Sequence, residues 1–113
     1  MEPTPGKIAY TDFAKLDLRV ATILEAARIE GATKLYKVAL SVGEFGIRTV
    51  AAGIAEFYSP EELKGRKVIL LANLEPKMLR GVESNGMLLA ADVEGRAVLL
   101  MPDADVPEGS KVM

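Results

Sequence analysis

The residues best suited to chemistry lie at positions 73–91, in the stretch N-L-E-P-K-M-L-R-G-V-E-S-N-G-M-L-L-A-A. The apolar run Val68-Ile69-Leu70-Leu71-Ala72 leads into it, and Met87-Leu88-Leu89-Ala90-Ala91 leads out. Between these strand-like ends sit amides, a hydroxyl, two glycines and the cations Lys77 and Arg80. Polar groups on a connection pinned by rigid strands suit binding better than polar groups on a free loop. The competing reading is an ordinary crossover kept hydrated by its charges. Residues 64–80 carry Lys64, Arg66, Lys67, Lys77 and Arg80 against Glu75, net +4, whereas residues 1–63 are net −2 and residues 81–113 net −4. A local basic patch on an acidic chain can steer one polyanion to one face. The same cations would also serve as a solvated edge that discourages strand pairing.

Catalysis has little to work with. His 0 and Cys 0 remove the common zinc and copper ligand sets, the Ser-His-Asp triad and the Cys-His pair. No G-x-x-x-x-G-K-[ST] loop and no strand-anchored G-x-G-x-x-G is present, so the usual phosphate cradles are missing. Glu61-Glu62 opens an apparent helix, where carboxylates are favoured electrostatically, and Asp103 and Asp105 lie in a Pro-bounded turn. The expectation is a protein with no catalytic residues, cofactor or metal.

One domain is expected at 113 residues, with 50% hydrophobic and 27% charged residues. The core must be aliphatic, since only 5% of residues are aromatic and none is Trp. The absence of Cys fits a reducing compartment. No apolar run reaches the roughly 18 residues of a membrane span, and the N-terminus lacks a signal-peptide pattern. A soluble, cytoplasmic protein is expected.

The elements that must position the central stretch read as strands. Residues 1–11 form a tail followed by a short turn capped by Thr11 or Asp12, with Phe13 and Leu16 facing the core. From Leu18 the pattern alternates: Leu18, Val20, Thr22 and Leu24 on one face, Arg19, Ala21, Ile23 and Glu25 on the other. Both faces carry apolar residues, as in a curved barrel strand. Alternation resumes over 36–42 and returns over 47–52 as a hairpin. Ser59-Pro60-Glu61-Glu62 is a helix start with a capping box, ended by Gly65. Strands follow at 67–74 and 87–93, the latter in a hairpin with 97–101 around Glu94-Gly95. Gly81 and Gly86 are read as permitting unusual backbone angles or close approach, and Met87 as core. Three strands, a short helix and then two strands predict an all-β fold with one short helix, a five-stranded Greek-key OB-fold barrel.

Several stretches together resemble a known family. They are D-F-A-K-L-D-L-R-V at 12–20, A-T-K-L-Y at 32–36, V-A-A-G-I-A at 50–55, Y-S-P-E-E-L-K-G at 58–65, the 73–91 stretch, and V-P-E-G-S-K-V at 106–112. In this order they resemble the OB-fold tRNA-binding domain found at the C-terminus of methionyl-tRNA synthetases. The wording is most similar to the stand-alone archaeal type, the synthetase beta subunit or C-terminal-domain homologue. The resemblance implies a domain over 12–113 that binds the tRNA elbow by shape, without catalysis. Its partners would be tRNA, a second copy of itself through residues 99–112, and a methionyl-tRNA synthetase. Carried over position by position, the tRNA-binding residues are Lys34, Asn73, Lys77, Arg80 and Ser84. The cations would neutralise phosphates, and Asn73 and Ser84 would meet phosphate or 2′-OH oxygens. Lys64, Arg66 and Lys67 read better as a solvated helix end. Two departures stand out: I-E-G-A-T-K-L at 29–35 replaces the family's H-P-x-A-D-K-L, and Met78 stands where a basic residue is common. Two other functions are compatible with the fold: a CsaA-like export chaperone that binds extended peptides, and a subunit that only tethers or dimerises a larger enzyme.

Overall fold

The alternating run near the N-terminus becomes β1 (Leu18–Arg28), the strand around which the sheet is built. The computed structural model describes residues 6–113; of the N-terminal tail, residues 1–5 lie outside the described part. Along its second half β1 pairs with β2 (Tyr36–Ser41), and along its first half with β4 (Lys67–Leu71). A register shift between Ile23 and Glu25 lets one strand bend far enough to serve both neighbours. β3 (Ile47–Ala52) pairs with β2, and β7 (Met87–Leu88) pairs with β4, giving the order β3-β2-β1-β4-β7. The curled sheet closes where β3 meets residues 84–86. There Asn85 N–H donates to Thr49 O at 2.8 Å and Ala51 N–H donates to Ser84 Oγ at 2.9 Å. The result is an OB-like barrel, as the pattern predicts.

Two hairpins stand apart from this sheet: β5 (Lys77–Leu79) with β6 (Val82–Ser84), and β8 (Ala90–Val93) with β9 (Arg96–Leu99). β10 (Lys111–Val112) returns the chain to β1, beside Leu18 and Arg19. The inward row Ala21, Ile23, Tyr36, Val38, Leu40, Val50, Val68 and Leu70 fills the barrel, each at most 1% exposed. Leu18, Val20, Ile69 and Leu71 face the other way and form a second core with Phe13, Leu89, Val106 and Val112. This second core explains why β4 is apolar on both faces.

Helix α2 (Pro60–Leu63) has the predicted capping box: Glu62 N–H donates to Ser59 Oγ at 3.2 Å and Ser59 N–H to Glu62 Oε1 at 2.7 Å. Gly65 follows at φ 88°. The expected cap at Thr11 or Asp12 is not formed. Helix α1 (Tyr10–Phe13) starts one residue after Ala9, which has no capping side chain, so Tyr10 and Thr11 belong to the helix rather than to the tail. Phe13 reaches the second core, but Leu16 is 40% exposed, because the helix stops before carrying it round. The single strand expected over 87–93 is two, since Leu89 turns into the second core. Leu89 N–H bonds Ile69 O at 3.0 Å while its carbonyl accepts from Leu100 N–H at 3.1 Å.

Candidate nucleic-acid interface

The basic turn of the central stretch is a two-residue β-hairpin. Leu79 and Val82 pair across Arg80 and Gly81, whose φ angles are 51° and 82°. Two successive positive φ angles define the turn whose twist matches that of paired strands. Glycine takes the second position easily. Arginine in the first is strained, since a side chain disfavours the left-handed region. The same turn type recurs at Glu94-Gly95, φ 53° and 86°, where the Asp92 carboxylate accepts from Gly95 N–H at 2.8 Å.

Pairing assigns the hairpin's faces. Lys77, Leu79, Val82 and Ser84 share one side; Met78 and Glu83 share the other. Leu79 and Val82 are half-buried, and Lys77, Met78, Arg80 and Glu83 are exposed. Met78 and Glu83 therefore stand outward together, and the missing cation at 78 is accompanied by a carboxylate. Lys34 lies in the loop between β1 and β2. Its side chain is exposed, while its carbonyl accepts from Ala55 N–H at 3.2 Å. Among the described residues, none of Lys34, Lys77 and Arg80 has a carboxylate within ion-pair distance. The loops after β1 and after β4 flank the ligand face of OB barrels. Leu35 from the first and Leu79 from the second line one apolar depression of about 340 Å³ with Ile54, Met87 and Leu99. Met87, expected in the core, is 46% exposed along it.

The other two expected contacts are structural ties. Ser84 is 6% exposed; its hydroxyl accepts from Ala51 N–H and donates to Gly86 O at 3.3 Å, so it faces the barrel seam. Asn73 is exposed, but Oδ1 accepts from Asp17 N–H at 2.9 Å and Nδ2 donates to Lys15 O at 2.7 Å. Its amide fastens the start of the stretch to the approach to β1. Gly86, at φ 133°, lets the end of the stretch lie against β4, where a Cβ would come 2.8 Å from Leu70 Cδ1 and Leu71 O. Arg66 and Lys67 are also engaged within the fold. Arg66 donates to Glu62 O at 2.9 Å and covers the Tyr58 ring at 5.2 Å; Lys67 bonds Asp105 at 2.6 Å and the Val106 carbonyl.

Sequence reasoning passed over Arg48. It lies on β3 in register with Leu40, in phase with the inward residues Val50 and Ala52. Its guanidinium Nη1 donates to Ala72 O at 2.6 Å and to Asn85 O at 3.3 Å. A cation at an inward position of a strand was the available signal.

A curled antiparallel sheet of this order, with exposed cations on the loops after β1 and β4, belongs by its fold to the class of OB-like barrels. Residues 18–111 match the family model described as "Putative tRNA binding domain", and the chain belongs to that family. It is 56% identical over 102 residues to the methionine–tRNA ligase of Methanothrix thermoacetophila, which covers 90% of this chain but 15% of the ligase. Among solved structures it is similar to a MetRS-related protein from Pyrococcus horikoshii, at 36% identity and TM-score 0.89, covering 96% of this chain and all of that one. It is also similar to the chaperone CsaA of Bacillus anthracis, at 29% identity and TM-score 0.88, covering 96% of this chain and all of that one.

Proposed function

We propose that this protein binds tRNA by shape, without catalysis, and serves a methionyl-tRNA synthetase in trans in the cytoplasm. The observation that carries the reading is the β5–β6 hairpin. It holds Lys77 and Arg80 exposed and, among the described residues, without a carboxylate partner, in the loop that corresponds to one of the two ligand-binding loops of OB barrels; Lys34, also exposed, lies in the other. These three cations would neutralise phosphates near the tRNA elbow, with Arg80 able to make a bidentate contact. Homodimer formation would present two such faces to one tRNA and raise avidity. Exposed Val93, Val98, Leu100 and Met101 on and after the β8–β9 hairpin support an interface there. A second reading, capture of an extended peptide, is favoured by the apolar depression beside the hairpin and by the likeness to CsaA.

A salt titration against folded tRNA, duplex DNA and an unfolded peptide separates the readings. Steeply salt-dependent binding to tRNA, with DNA much weaker, is expected. Binding to peptide but not to tRNA would transfer the protein to the chaperone function.

A further inference from the structure

The loop that carries the hairpin runs from Asn73 to Asn85, and its two ends are joined by one side chain from a third strand. Arg48 Nη1 gives one hydrogen to the carbonyl just before the loop, Ala72 O, and another to the carbonyl at its end, Asn85 O. These acceptors are 13 residues apart in sequence. The β4–β7 pairing of Leu71 with Met87 closes the base of the loop from outside, and within it β5 and β6 pair only with each other, so Arg48 adds a second tie across the ends. Within 77–84 only Ser84 is buried, so the hairpin has little core of its own to hold its direction. Its orientation is set at its base.

Arg48 is not itself placed as a contact. It is half-buried in the inward row of β3, and its guanidinium is turned to backbone oxygens. Among the described residues it has no carboxylate at ion-pair distance. A half-buried cation without a counter-charge is costly to keep. Its retention at an inward position is accounted for by the two carbonyls, which charge-assisted hydrogen bonds hold more firmly than neutral ones.

We infer that Arg48 is a positioning residue for tRNA binding, clasping the two ends of the 73–85 loop so that the β5–β6 hairpin presents Lys77 and Arg80 in a fixed orientation. The inference rests on the tRNA-binding reading for its functional half. The mechanism is a change in the fraction of molecules whose hairpin is correctly aimed, which scales the apparent affinity directly. Loss of the clasp lowers affinity without removing a phosphate contact.

The experiment uses the full chain with Arg48→Met and Arg48→Lys, titrated with folded tRNA across a salt series. Amide hydrogen exchange is measured on the free proteins. Arg48→Met is expected to weaken binding roughly tenfold, the scale of lost hydrogen bonds from a charged donor, with the salt slope unchanged. Hairpin amides at 77–84 are expected to lose protection while β1, β2 and β4 keep theirs. Arg48→Lys, which keeps a donor able to reach a carbonyl, is expected to recover part of both. A salt slope lowered by about one unit would make Arg48 a direct phosphate contact and overturn the inference, as would unchanged affinity or unchanged hairpin protection. If Arg48→Met does not fold, the same comparisons on Arg48→Lys decide. Failure of the unaltered protein to bind tRNA would refute the functional reading alone, because hydrogen exchange reports on the clasp without any ligand.

Discussion

The Ser84 hydroxyl accepts a hydrogen bond from the Ala51 backbone N–H at 2.9 Å, so a side chain takes the place of a backbone acceptor where the barrel closes. Ser84→Ala would leave that partly buried N–H without its partner. The expected cost is roughly 1–3 kcal/mol, a fall in melting temperature of at least about 4 °C for a domain near this size. The salt slope of tRNA binding should not change. An unaltered melting temperature combined with a lower slope would return Ser84 to the list of phosphate or ribose contacts.

Arg80 poses a different trade between stability and binding. Its φ of 51° is one that asparagine adopts with less strain at the first position of this turn. Arg80→Asn should therefore raise the melting temperature slightly, by the equivalent of about 0.5–1 kcal/mol, while weakening tRNA binding. Arg80→Ala and Lys77→Ala should each flatten the log-log salt dependence by about one unit. Thermal melts and filter binding at several salt concentrations test the set. If Arg80→Asn melts higher and binds tRNA as tightly as the original, the strained arginine has no part in recognition.

How much of this was legible in the sequence depended on how local each interaction is. Alternation at Leu18–Ile23 and 36–42 marked barrel strands because inward positions repeat every second residue, and Ser59 with Glu62 marked α2 because both capping partners lie within four residues. Lys77 and Arg80 were legible as exposed cations, but their hairpin was not, since Arg-Gly is an unusual pair for a turn that prefers Asn-Gly. The ties made by Ser84 and Asn73 within the fold were not legible, because the groups they engage, Ala51 N–H and the Lys15–Asp17 backbone, are 33 and more than 50 residues away. Arg48 was hidden for the same reason: its acceptors are 24 and 37 residues distant.

Glu83 sets an electrostatic limit on the hairpin. It is exposed on the outward side beside Met78, within the unit that carries both cations. If RNA approaches that side, Glu83→Gln should tighten tRNA binding roughly two- to threefold at low salt, the scale of one exposed charge interaction. The gain should shrink at high salt as screening shortens the Debye length. An unchanged low-salt Kd would mean that RNA meets the hairpin from the side of Lys77 and Leu79 only.

The C-terminal segment is built into the fold, and this changes what its removal would report. Val106 and Val112 pack on the second core, Lys67 binds Asp105, and Val20 exchanges backbone hydrogen bonds with Gly109 and Ser110 at 2.7 and 2.9 Å. Arg19 adds a bond to Gly109 O at 3.1 Å and covers the Phe45 ring at 4.4 Å. Deleting residues 102–113 should therefore unfold or strongly destabilise the chain. Any loss of dimer in that variant would be uninformative. Val98→Lys and Leu100→Lys act instead on side chains that are 39% and 43% exposed and carry none of these ties. With the proposed dimer through this hairpin, light scattering should show the unaltered protein as a dimer and these variants as monomers with a folded circular dichroism spectrum, and tRNA affinity should fall with the lost avidity. Dimers that persist in both would move the interface away from the β8–β9 hairpin.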